Sequence, residues 1–146
     1  TDQRMVMYNP NQALRSYQQV GAAGQVAAAE DPYRLVQLML GGAIERLAAA
    51  RGHLGRGEIA GKGEQVSRAA AIIDSLNASL DMEKGGELAR NLHDLYNWCT
   101  LRLVEANLKN DDAGFDEVAK VLREIKAGWD AIPESARKPT PVPAAP

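Results

Sequence analysis

The sequence predicts an all-α protein: an antiparallel four-helix bundle preceded by a short extra helix. Three observations carry this. Apolar residues recur three and four apart over four long stretches. Each stretch is punctuated by glycines, an Asn-Asp-Asp run or Pro. No segment reads convincingly as a strand, and no repeat of solenoid length is present.

Residues 1–10 are expected to be a flexible lead. Residues 11–20 (NQALRSYQQV) can form a short helix with Leu14 and Tyr17 on one side, and Gly21 and Gly24 then loosen the chain. Asp31-Pro32 opens the first long helix, because Asp accepts orphan amide hydrogens and Pro tolerates the first helical position. Its apolar stripe is Val36, Leu40, Ala43, Leu47, Ala50 and Leu54, with Leu35, Met39 and Ile44 beside it. Gly55, Gly57, Gly61 and Gly63 mark a weakly helical connection.

The second long helix carries Val66, Ala69, Ile73, Leu76 and Leu80, and Gly85-Gly86 ends it. The third runs from about 87 to 109, with Leu88, Leu92, Leu95, Cys99, Leu103 and Ala106 as its expected core stripe. Asn110-Asp111-Asp112 supplies a break and a new cap. The last helix has Phe115, Val118, Leu122, Ile125, Trp129 and Ile132 before Pro133 stops it. The organisation expected is a lead at 1–10, a bundle at 11–132 and a disordered Pro-rich tail at 133–146.

A chain of 146 residues is one domain by length. It can bury about 68–70% of its unfolded surface, enough to fold without a metal or disulfide staple. A formal charge of -2 and a pI near 5.7 argue against a nucleic-acid binder. No stretch approaches a membrane span. The lone Cys99 and the absence of a secretory-type N-terminus point to the cytoplasm. Thr1 stands where an initiator Met would, so the natural start is open, with Met5 and Met7 as alternatives.

The third helix is more apolar than a bundle requires. Trp98, Leu101, Val104 and Leu108 fall outside its expected core line, and Trp98, Leu101 and Leu108 make a second stripe. Asn91, Asn97 and Asn107 lie among them, with amides that both donate and accept. Such a face suits an amphipathic partner segment. A central helix or a bundle dimer would produce the same pattern, so the alternatives stand together here.

Chemistry is sparse. The glycines at 55–63 lack phosphate-loop order, and no paired Glu-x-x-His motif suggests a bundle metal site, so no cofactor or metal is expected. Cys99 and His93 are six residues apart, roughly 120° around a helix, and do not face each other. No enzymatic activity is expected. The alternative function is a histidine phosphotransfer bundle using His53 or His93, but glycines follow the first and Asp94 flanks the second.

The chain resembles the FliS family. The resemblance is carried in order by ALRSYQQV, EDPYRLVQLMLGGAIERLAAAR, AIIDSLNASLD, GGELARNLHDLYNWCTLRLVEAN and LREIKAGWDAI. It implies an antiparallel bundle and a cytoplasmic export chaperone. Such a chaperone binds the C-terminal segment of flagellin, prevents its premature polymerisation and presents it to the flagellar type III export apparatus. Leu14 and Tyr17 match the family's short N-terminal motif, which is associated with client binding; Tyr8 is placed with them. Asn91, Leu95, Trp98 and Leu101 are added from the surplus stripe. The expected free state is a monomer or weak homodimer. The Gly-rich connection, the Pro-rich tail and Trp98 depart from the family's usual pattern.

Overall fold

The computed structural model describes residues 2–19 and 31–137, and among these every regular element is helical. Five α-helices follow in order: α1 Pro10–Gln19, α2 Pro32–Gly55, α3 Ile59–Ala78, α4 Gly86–Lys109 and α5 Asp112–Asp130. Helix α2 packs on α3 and α5, and α4 packs on the same two, so α2 and α4 stand diagonally across an antiparallel bundle. Helix α1 lies against α3 and α2.

Local chemistry sets the helix ends. Asp31 caps α2 by accepting from the amides of Tyr33 and Arg34, with Pro32 at the first position. Asn110 ends α4 in the left-handed conformation, φ 51°, and Asp111 caps α5 by accepting from the Ala113 amide. Around this turn Arg102 reaches Glu117, Asp111 and Glu105.

The α2 stripe is buried as expected from Val36 to Ala50, and Leu35 and Met39 join it. Two expectations are corrected. Residues 55–63 are not a loose connection: α3 already begins at Ile59, and only residues 56–58 lie between the helices. Gly57, at φ +73°, makes the reversal. Gly61 sits inside α3 because the His53 ring packs on it; a Cβ there would lie 2.6 Å from His53 Nδ1.

The second correction concerns the rotation of α4. Its core line is Ala89, Leu92, Tyr96, Cys99, Leu103 and Ala106, with Leu92 only half-buried. Leu88 is 42% exposed and Leu95 half-buried. Spacings of 3-4-3-4-3 through Ala and Tyr outcompete a line drawn through leucines, because two alanines let α4 approach its neighbours and Tyr96 fills the interior.

The lead segment, expected to be flexible, is placed against the end of the bundle. Asn9 N–H donates to the Ser79 carbonyl and Asp81 N–H to the Met7 carbonyl, both at 2.6 Å. Met7 and Tyr8 are buried. Tyr8 meets Trp129 edge to face at 5.4 Å, and Tyr33 stacks on the same indole at 5.8 Å. The Trp129 indole N–H donates to the Tyr33 carbonyl at 2.9 Å. At the other end of the chain, Arg137 lies over the Tyr33 ring, 4.1 Å from its centre. The tail beyond it falls outside the described residues.

Candidate functional site

Helices α4 and α5 diverge beside the lead segment and leave a cavity of about 250 Å³. Leu88, Leu92 and Leu95 from α4 face Ile125 and Trp129 from α5, and Met7 and Tyr8 close it. Asn91 stands at its edge, and its side-chain amide has no hydrogen-bond partner among the described residues. Beyond the cavity α4 continues as an open apolar face. Trp98 is 41% exposed, Leu101 72%, Val104 58% and Leu108 80%. Ile59, 49% exposed, belongs to the end of α3 where Lys62 donates to the Asn107 carbonyl and to Asn110 Oδ1. A bundle that buries Met39 and Leu47 completely leaves these side chains in water, which is unfavourable by about 25 cal/mol per Å² of apolar area.

The residues singled out in the sequence divide by position. Tyr8, Asn91 and Leu95 meet at the cavity, and Tyr8 shares a hydrogen bond with Tyr96, hydroxyl to hydroxyl, at 2.5 Å. Trp98 and Leu101 lie on the open face, one and two turns further along α4. Leu14 is half-buried on α1, which packs on α3 and α2, and so it is not brought to the cavity. Tyr17 belongs to α1, but its side chain lies outside the described residues. Sequence reasoning missed Met7, Leu88, Leu92 and Ile125 as cavity walls. Met7 had been given to the lead and the other three to the apolar stripes of their helices, and it is the rotation of α4 about Tyr96 that turns Leu88 to the cavity.

A ring of polar side chains borders the open face on the α3 side. His93 Nδ1 is 2.8 Å from Asn77 Oδ1, Asn97 Nδ2 is 3.3 Å from His93 Nε2, and Asn77 Nδ2 donates to Asn97 Oδ1 at 2.9 Å. With the Asn77 and Asn97 amides oriented this way, the ring closes when His93 donates from Nδ1 and accepts at Nε2. Both of its nitrogens are therefore occupied. His53 instead presents Nδ1 to Glu58 Oε1 at 3.0 Å, a carboxylate that would repel a phosphoryl group.

Burial governs the ionisable groups of the interior. It pushes the Cys99 thiol up to about 12, and it raises both Tyr8 and Tyr96 well above the ordinary phenol value. Asp74 on α3 is also raised, by partial loss of water. Among the described residues no cluster of His, Cys, Asp and Glu could hold a metal ion. Nor is any helix long and apolar enough to cross a membrane.

Sequence comparison matches this arrangement to known proteins. The family model described as "Flagellar protein FliS" matches residues 13–136. The chain is 49% identical over 120 residues to the flagellar secretion chaperone FliSB of Pseudomonas aeruginosa, covering 82% of this chain and 94% of the relative. It is 41% identical over 121 residues to the flagellar secretion chaperone FliS of Vibrio cholerae, covering 83% and 88%. The corresponding chaperone of Salmonella typhimurium is 40% identical over 124 residues, covering 84% and 91%. With most of the chain matched in both directions, this protein belongs to the FliS family of flagellar secretion chaperones.

Proposed function

We propose that this chain is a cytoplasmic export chaperone that holds the C-terminal segment of flagellin. Holding it prevents premature polymerisation, and the complex is then delivered to the flagellar type III export apparatus. The observation that carries the reading is the open face of α4, from Trp98 to Leu108, beside a cavity edged by the Asn91 amide, which has no partner among the described residues. An amphipathic segment laid on that face exchanges its own apolar stripe for the chaperone's and finds an amide for its exposed backbone. The segment orders as it binds. That cost is met by a large wrapped surface, so the complex is specific yet separable without nucleotide.

In this reading Asn91, Leu95, Trp98 and Leu101 contact the client directly. Leu14 and Tyr17 contribute from α1, and Tyr8 sits where the lead segment meets the cavity. The free protein is a monomer or weak homodimer. Titration calorimetry against the C-terminal segment of the same organism's flagellin tests the proposal. The expected result is one-to-one binding with a negative heat-capacity change, the mark of apolar burial. No heat at two temperatures, with both partners soluble and the bundle helical by circular dichroism, overturns it.

A further inference from the structure

The open face of α4 has a border whose charge is unanswered. Asn77 of α3 bonds to His93 and Asn97 of α4, which fixes the register of the two antiparallel helices. Asp74, one turn earlier on α3, therefore lies beside the next turn of α4, where Thr100 and Leu101 stand. Its carboxylate is exposed, yet it has lost part of its hydration. Partial burial pushes its carboxyl up, and among the described residues no cation or hydrogen-bond donor is paired with it.

Burial pushes Asp74 up, whereas Asp2, Glu58, Asp111, Asp112 and Asp130 are all held down. Asp112, Asp116, Glu117 and Asp130 each have an Arg or Lys partner. Asp94 and Glu87, on the outer side of α4, carry no ion pair either, and Arg90 is the cation set between them. The strip of exposed apolar side chains is thus bordered, beside Leu101, by a carboxylate that no cation among the described residues answers.

We infer that Asp74 is a specificity-determining residue: it receives a Lys or Arg at the edge of the amphipathic helix that lies on Trp98 and Leu101. The inference rests on the client-binding reading above and adds the client's chemistry, an apolar stripe flanked by positive charge. A partly desolvated carboxylate destabilises the free chaperone, and a cation delivered by the client removes that penalty only in the complex. A second copy of this chain is a poorer occupant, because the cations beside its own strip, Arg102 and Lys109, are already held in ion pairs.

The test is calorimetric titration of the full chain with the flagellin C-terminal segment across a range of salt concentrations. It compares wild type with Asp74→Asn and Leu101→Ala. Asp74→Asn is expected to weaken binding roughly tenfold at low salt and to flatten the salt dependence. The melting temperature of the free protein should be unchanged or slightly raised. A client in which the facing Lys or Arg is replaced by Glu should lose affinity for wild type and regain it with Asp74→Lys.

Binding of Asp74→Asn within twofold of wild type at every salt concentration, while Leu101→Ala still weakens it, overturns the cation anchor and leaves the client site standing. No binding by wild type overturns both. A tight dimer of the free protein that Leu101→Ala dissociates assigns the face to a second copy and likewise refutes the inference.

Discussion

Removing the Tyr8 hydroxyl tests whether the lead segment belongs to the folded bundle. Tyr96 is 0% exposed and Tyr8 6%, and each hydroxyl has the other as its hydrogen-bond partner. Tyr8→Phe keeps the ring against Trp129 but leaves the Tyr96 hydroxyl buried and unpaired. Stranding one buried polar group costs about 1–3 kcal/mol. For a chain of this size that corresponds to a fall in melting temperature of roughly 3–10 °C. Replacing both hydroxyls with Phe removes the stranded group, so the double variant should recover most of the loss. A double-mutant cycle by urea denaturation should give a coupling of about 1–2 kcal/mol. The pair also sets an alkaline limit. Burial raises both phenols, so the neutral forms are favoured by folding. Their contribution is fully present below the unfolded phenol value near 10 and is lost as pH rises above it. A Tyr8→Phe variant within about 0.3 kcal/mol of wild type, with additive effects in the double variant, would refute the docked lead.

Gly114→Ala places a Cβ 2.5 Å from Ala106 Cβ, and Ala106 has no rotamer with which to yield. Despite the helix preference for Ala, urea denaturation should show a loss of about 1–3 kcal/mol. Cys99 is buried with its thiol pushed up to about 12, so a thiol reagent at pH 8 should react with the native protein only at the rate of unfolding. Rapid native labelling would contradict that placement. Asp31→Ala removes the side chain that receives two amides at the start of α2, and thermal melts should report about 1 kcal/mol less stability. Nitrogen-15 correlation spectra of neutral His93 should show the proton on Nδ1, the tautomer that matches the orientation of the Asn77 and Asn97 amides.

The bundle was legible because its periodicity and punctuation agree. Val36 through Ala50 are spaced for one face, and Asp31-Pro32, Asn110-Asp111 and Pro133 mark boundaries that the backbone respects. Two features escaped because each depends on packing between elements that local patterning does not carry. Gly61 looks like a helix breaker until His53 is seen packed on it, and Tyr8 looks like part of a loose lead until Tyr96 accepts or donates its hydrogen bond. The site was half legible for a related reason. Apolar surplus on α4 identified Trp98 and Leu101 correctly as exposed. Which leucines join them depends on the rotation of the helix, and that is fixed by how closely Ala89 and Ala106 allow it to approach its neighbours. A leucine-weighted reading therefore assigned Leu88 to the core when it lines the cavity.

The most direct test of the account is side-chain footprinting by hydroxyl radicals, with and without a saturating flagellin C-terminal segment. In the free protein Trp98, Leu101 and Leu108 should be modified, and Met39, which is 0% exposed, should not. Binding should protect Trp98 and Leu101 strongly while Met82, 40% exposed at the end of the bundle beyond α3, serves as a reference. Unchanged modification of Trp98 and Leu101 in a saturated complex would place the client elsewhere and contradict the central claim.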